Sequence, residues 1–113
     1  MIEVYGINNC DKIRKTKKWL SQNEIEFDFF DLKKEPLSRE ELEEFVYRVG
    51  LDTLVNKRGM TWRKLGLKDK DLSEDELFEQ LLENQSMIKR PVLINGEGIL
   101  VGYDEDAFET FVD

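Results

Sequence analysis

Cys10 is the one cysteine of this 113-residue chain, and it falls where a thiol could act as a nucleophile. It follows an apolar run, Ile2 to Tyr5, and a glycine turn, Gly6-Ile7-Asn8-Asn9. It immediately precedes a basic amphipathic stretch, Asp11 to Leu20. A thiol at a strand-to-helix junction meets the helix N-terminus, whose free amides and dipole favour the thiolate, the attacking form of sulfur. The alternative is a buried structural thiol, since free cysteine packs as a small apolar residue. Three arginines bear on the same question. Arg14 lies one helical turn past Cys10 and could add positive charge beside the thiol. Arg90 precedes Pro91, which restricts its backbone to an extended form and so aims its side chain. Arg58 precedes Gly59 in a basic loop that could close over a site. A guanidinium offers paired donors matched to an oxyanion or carboxylate. Each arginine also has a plainer reading as a solvated basic residue, and so does Lys12. Turn formation is enough to explain Asn8 and Asn9, and packing explains Trp19 and Trp62.

The elements that must hold these residues follow from local patterns. Residues 2–5 read as a short buried strand. Residues 11–23 read as a helix with Ile13, Thr16, Trp19 and Leu20 on one face. The aromatic run 26–30 suits a second strand. Two helix starts are written alike. Leu37-Ser38-Arg39-Glu40-Glu41-Leu42 and Leu72-Ser73-Glu74-Asp75-Glu76-Leu77 each place a capping serine three residues before a glutamate, between two leucines. Leu42, Phe45, Val46 and Val49 continue the first helix until Gly50 stops it, and Leu77, Leu81 and Leu82 continue the second. The basic stretch 51–71 between them predicts short helical turns. Val92-Leu93-Ile94 and Ile99-Leu100-Val101 flank Asn95-Gly96, a strong hairpin signal. Asp104 then caps a last helix, with Tyr103 stapled to Phe108 and Ala107 and Phe111 turned inward.

This order predicts a parallel strand–helix–strand crossover, a helical stretch, a hairpin and a final helix. The fold class is α/β: a thioredoxin-like fold with a four-stranded mixed sheet, helices on both faces, and a helical insertion between the second and third strands. The chain reads as a single domain, 1–113, with the insert over about 36–86.

Bulk composition narrows the chemistry. The chain has no histidine, which removes every serine–histidine and cysteine–histidine hydrolytic scheme. One cysteine and no histidine give no basis for a zinc site, so no metal and no bound cofactor are expected. A lone cysteine cannot form an internal disulfide and suits a reducing cytoplasm. No apolar run approaches the ~20 residues of a membrane span, and Met1-Ile2-Glu3-Val4-Tyr5 reads as a strand rather than a secretory leader. A net charge of −8 argues against direct nucleic-acid binding by the whole surface. The charge is nonetheless uneven. Residues 11–18 and 56–70 hold eleven of the 17 basic residues and two of the 25 acids, a lead toward an anionic ligand.

The residues that carry this reading also resemble a known family. Tyr5-Gly6-Ile7-x-x-Cys10-Asp11-x-x-Arg14-Lys15-x-x-x-Trp19-Leu20 is similar to the N-terminal motif of the arsenate reductase (ArsC)/Spx superfamily. The likeness continues through Lys57-Arg58-Gly59-x-Thr61-Trp62-Arg63-Lys64-Leu65, Ile88-Lys89-Arg90-Pro91-Val92-Leu93-Ile94 and Val101-Gly102-Tyr103-Asp104-Glu105-Asp106. The middle run most resembles the YffB-like branch, and the last the Spx/MgsR branch. The resemblance implies a thioredoxin-like fold with a helical insert, Cys10 as nucleophile, and Arg14 and Arg90 at the family's arginine positions. It also implies a cis Pro91 beside the cysteine, and electrons from glutathione with a glutaredoxin-like protein.

Two of the family's anion-binding arginines have no counterpart at their own positions. A gapless match from Leu54 to Leu67 puts Asn56 at the first, with Arg58 two residues away, and Gly102 lies near the last. Where Spx-type regulators carry a second cysteine, this chain has Ile13, so no intramolecular disulfide switch is available. The leading expectation is an ArsC-like monothiol oxidoreductase. In it Cys10 attacks an anionic or oxidised substrate, Arg90 binds the anion with help from Arg58 or Arg14, and an external glutathione-like thiol resolves the adduct. The alternative is a non-enzymatic Spx-like regulator that binds the RNA polymerase alpha subunit.

Overall fold

A computed structural model describes residues 1–113. In chain order the elements are β1 (Ile2–Gly6), α1 (Asp11–Gln22), β2 (Phe27–Asp31), α2 (Arg39–Val49), α3 (Leu51–Leu54), α4 (Met60–Lys64), α5 (Glu74–Glu83), β3 (Val92–Asn95), β4 (Gly98–Val101) and α6 (Glu105–Phe111). Short 3₁₀ turns lie at Leu67–Asp69 and Gln85–Met87. The chain divides into two compact units, residues 1–35 with 90–113, and residues 36–89. The helical insert read at about 36–86 lies inside the second.

In the first unit the strands form one mixed sheet in the order β2-β1-β3-β4. β2 runs parallel to β1, from Ile2 opposite Phe27 to Gly6 opposite Asp31. β3 runs antiparallel to β1, and β4 antiparallel to β3. Alternation along β1 buries Ile2, Val4 and Gly6 on one face. Ile2, Val4 and Leu93 meet Leu20 of α1 and Phe108 of α6 there, and Trp19, Phe27, Phe29, Leu100 and Phe111 pack around them. Phe108 is the centre of this face: the rings of Trp19 and Tyr103 each meet it edge-on at 5.3 Å. Tyr103 and Phe108 thus form the predicted staple, and the Asp104 carboxylate accepts from the amides of Asp106 and Ala107. On the opposite face Tyr5 and Phe30, cross-strand neighbours, stack at 4.8 Å.

The hairpin turns one residue later than its sequence signal. Asn95 pairs with Gly98 inside the ladder, so Gly96-Glu97 make the turn, with Gly96 at a positive φ of 61°. Glycine at the first of two central positions is the placement of a II′ turn. The reason for the shift is tertiary. The Asn95 side-chain amide donates to the carbonyl of Phe111 at 2.9 Å, and a side chain at position 98 would meet the Phe111 ring at 3.1 Å. Asn95 and Gly98 are committed to seating the end of α6.

The second unit is built on its caps. Ser38 and Ser73 both form the complete capping box with Glu41 and Glu76, and Gly50 ends α2 at a φ of 87°. The stretch 51–71 breaks into α3, α4 and a 3₁₀ turn, as its composition predicts. Gln85, one of two buried polar residues, ties the two ends of the unit together. Its Oε1 accepts from the Leu37 amide at 2.8 Å, and its Nε2 donates to the Leu37 carbonyl at 2.9 Å and that of Leu82 at 3.2 Å. An antiparallel bridge between Val55 and Ile88, flanked by Asn56 N–H to Met87 O and Lys89 N–H to Leu54 O (both 2.7 Å), closes the same end.

Candidate active site at the sheet end that carries Cys10

Cys10 occupies the N-cap position of α1, with extended backbone (φ −112°, ψ 132°), and its carbonyl accepts the first helical bond from the Arg14 amide at 2.9 Å. Its side chain makes no capping hydrogen bond. Serine, threonine, aspartate or asparagine here would satisfy a first-turn amide; the thiol makes no such bond, and the residue is partly exposed. The strand end beside it is tight. A side chain at Gly6 would drive into the buried Ile13, whose Cγ1 would lie 2.8 Å from the added Cβ. Glycine therefore lets β1 and the first turn of α1 approach closely enough to set the loop 7–10. Asn9 completes the turn in the left-handed region, φ 67°.

The register of the sheet brings a second segment to this end. Val92, first in β3, pairs with Tyr5 near the end of β1. The Arg90-Pro91 pair before β3 and the loop after β1 therefore leave the sheet at the same end, on neighbouring strands. The Arg90–Pro91 peptide is cis, Pro91 is buried, and its carbonyl accepts from the Gly102 amide at 2.8 Å. Arg90 is half-buried, and its guanidinium pairs with no carboxylate. Gly102 follows β4 at the same end with φ 98°. That backbone conformation accounts for the glycine, since a side chain there is strained.

The other two arginines are placed differently. Arg14 projects into solvent and is ion-paired with Asp11, one turn away on α1. Arg58 belongs to the second unit and is exposed. Its amide donates to the Asn56 side-chain oxygen at 3.1 Å, and the Asn56 amide nitrogen would lie 2.9 Å from a Cβ at Gly59. Asn56 thus shapes the turn that presents Arg58.

The structure adds residues that spacing did not single out. Lys17 Nζ stands 3.8 Å above the centre of the Phe29 ring and donates to Asn8 Oδ1 at 3.0 Å. Asn8 in turn donates from Nδ2 to Asp31 at 3.3 Å, and Asp31 also caps the following turn by accepting from the Lys33 amide at 2.9 Å. These contacts join residues nine and 23 positions apart, which no local pattern announces. Lys17 read simply as one of five basic residues on α1.

Comparison with known proteins places this arrangement. The family model described as "ArsC family" matches residues 5–111. An uncharacterized protein of Haemophilus influenzae is 37% identical over 110 residues, 96% of each chain. The global transcriptional regulator Spx of Lactiplantibacillus plantarum is 30% identical over 99% of this chain and 86% of its own. The solved structure of the YFFB protein superposes with a TM-score of 0.91 at 37% identity, covering both chains fully. A glutaredoxin from Archaeoglobus fulgidus shares the fold alone, with a TM-score of 0.53 at 14% identity over 96% of this chain and 82% of its own. The sheet is thus that of a thioredoxin-like fold, and the chain belongs to the ArsC family.

Proposed function

We propose that the protein is a thiol-dependent reductase of the cytoplasm, in which Cys10 is the nucleophile and Arg90 the anion-binding residue. One observation carries this reading. A partly exposed sulfur with no hydrogen-bond duty sits at the start of a helix, at the sheet end where an unpaired arginine and a cis proline enter the neighbouring strand. The Cys10 thiolate attacks the electrophilic centre of an oxidised, anionic substrate. Arg90 holds the anion and offsets the charge carried by the leaving group. With no second cysteine in the chain, an external thiol of the glutathione type attacks the Cys10 adduct. Two such thiols supply the two electrons and leave as their disulfide, while the substrate takes up the electrons and the two thiol protons. A glutaredoxin-like protein fits as the carrier that passes electrons from glutathione to the mixed disulfide on Cys10. Arg14 has its charge balanced by Asp11 and contributes little. No step is assigned to Arg58.

The test is glutathione-dependent turnover of oxyanion and disulfide substrates. Cys10→Ser abolishes it. Arg90→Ala raises KM for the anionic substrate about 10- to 100-fold, the loss expected of a charge-assisted pair. Turnover that survives Cys10→Ser defeats the proposal. The likeness to Spx over nearly the whole chain supports a second reading, a regulator that binds the RNA polymerase alpha subunit. Capture of that subunit by the purified protein, unaffected by Cys10→Ser and accompanied by no thiol turnover, would decide for it.

A further inference from the structure

We propose that Lys17 is a positioning residue for Cys10, acting through Asn8. The inference rests on the reading of Cys10 as the reactive group. Cys10 does not fasten its own loop, because its side chain makes no capping bond. Four residues, Ile7 to Cys10, connect β1 to α1, and one of them is held in the left-handed region. Asn8 is the side chain of that loop with ties on both sides: it accepts from Lys17 on the second turn of α1 and donates to Asp31 at the end of β2. Lys17 in turn is fixed by the Phe29 ring on β2, at 3.8 Å.

The result is a strap across helix, loop and strand that sets where the loop delivers Cys10. Its chemistry explains the residue types. Asn8 needs an acceptor toward Lys17 and a donor toward Asp31, and its amide provides the two on separate atoms, Oδ1 and Nδ2. Lys17 needs a cation at the end of a long apolar stem, to reach the ring face and still donate. Lys17 differs from its neighbours Lys12, Lys15 and Lys18, which are exposed on the same helix, and from Arg14, which serves Asp11. Asp31 gains a second role beyond capping the turn after β2, because it anchors the far side of the loop.

The experiment compares wild type with Lys17→Met, Lys17→Arg, Asn8→Ala and the Lys17→Met/Asn8→Ala double variant. Backbone order parameters of Asn9 and Cys10 are measured by NMR, together with the rate at which Cys10 exchanges with glutathione disulfide. In that exchange the Cys10 sulfur bonds to one glutathione as the disulfide bond breaks and the other leaves as thiolate. Lys17→Met and Asn8→Ala each lower the order parameters of the loop, while those in the middle of α1 stay unchanged. Each slows exchange about 3- to 10-fold, the worth of a single hydrogen bond. Lys17→Arg, which keeps a cation over the ring, restores both. The double variant is no slower than the slower single variant, because both act through one strap. Unchanged loop order in Lys17→Met overturns the inference. So does a double variant slowed by the product of the single effects, or unchanged exchange in a loosened loop. A wild-type Cys10 that exchanges no faster than an unstructured thiol strikes down the reductase reading instead, and the order parameters then still decide whether Lys17 holds the loop.

Discussion

Cys10 stands where the helix would be steadier with another residue. An N-cap that accepts from the first-turn amides is worth about 0.5–2 kcal/mol over one that does not, and the Cys10 side chain makes no such bond. Cys10→Ser should therefore raise stability by roughly 0.5–1 kcal/mol while removing the nucleophile. In thermal unfolding this is an increase of about 2–6 °C for a domain of this size. A serine variant no more stable than wild type would mean that the first-turn amides already have partners. Gly6 is constrained in the opposite sense. Gly6→Ala places a methyl group against the fully buried Ile13, and overpacking of this kind costs about 1–3 kcal/mol. Cys10 was legible as a candidate because its junction is a local pattern. The closeness of Gly6 to Ile13 was not, since it depends on how tightly the helix folds back on the strand. Tyr103 offers a titration at the same scale. Its hydroxyl donates to the Glu105 carboxylate, which favours the protonated phenol and pushes its pKa up to about 12. A raised value in the folded state means stability that is whole below the unfolded tyrosine value of about 10 and declines as pH rises through 12. Glu105→Gln should return the ultraviolet phenolate transition of Tyr103 toward 10; a transition that stays in place would assign the shift to something other than the carboxylate.

Helices and strands followed the sequence most closely where their signals are short-range. Both capping boxes, the Gly50 stop and the Tyr103–Phe108 staple join residues within five positions of one another, so the chain carries the instruction and the partner together. The hairpin turn shifted because Asn95 and Gly98 answer to Phe111, more than a dozen residues on. Gln85 was missed for the same reason: its partner Leu37 is 48 residues away. Gln85→Leu keeps the bulk and strands both the amide and the carbonyl of Leu37. Each buried unpaired backbone group costs about 1–3 kcal/mol, so the loss should be about 2–6 kcal/mol in denaturant unfolding. A loss below ~1 kcal/mol would mean that water reaches Leu37. Glu76 gives the α5 cap a pH signature. The Ser73 amide, and after it the Ser73 hydroxyl, hold its carboxyl below the ordinary glutamate value. The unfolded chain then binds more protons in the window between the two values, so the contribution is present at neutral pH and fades as pH falls through the lowered value. Glu76→Gln should flatten that part of the acid limb of the stability curve.

Charge acts on the scale of the whole molecule, and here two effects oppose each other. The net charge of −8 repels an anionic disulfide at long range, whereas the basic segment 11–18 begins one residue from Cys10 and attracts it at short range. Salt separates the two, because at ~0.1 M the screening length falls to about 10 Å. If the near positive charge governs encounter, the rate of Cys10 with glutathione disulfide should fall about 2- to 5-fold between low and high salt, while the rate with a neutral disulfide such as bis(2-hydroxyethyl) disulfide stays level. The ratio of the two rates isolates the electrostatic part from any effect of salt on the thiol itself. A ratio that rises with salt would show that the acids of the whole surface outweigh the basic segment. The concentration of cations in 11–18 would then have to be explained by something other than an anion arriving at Cys10.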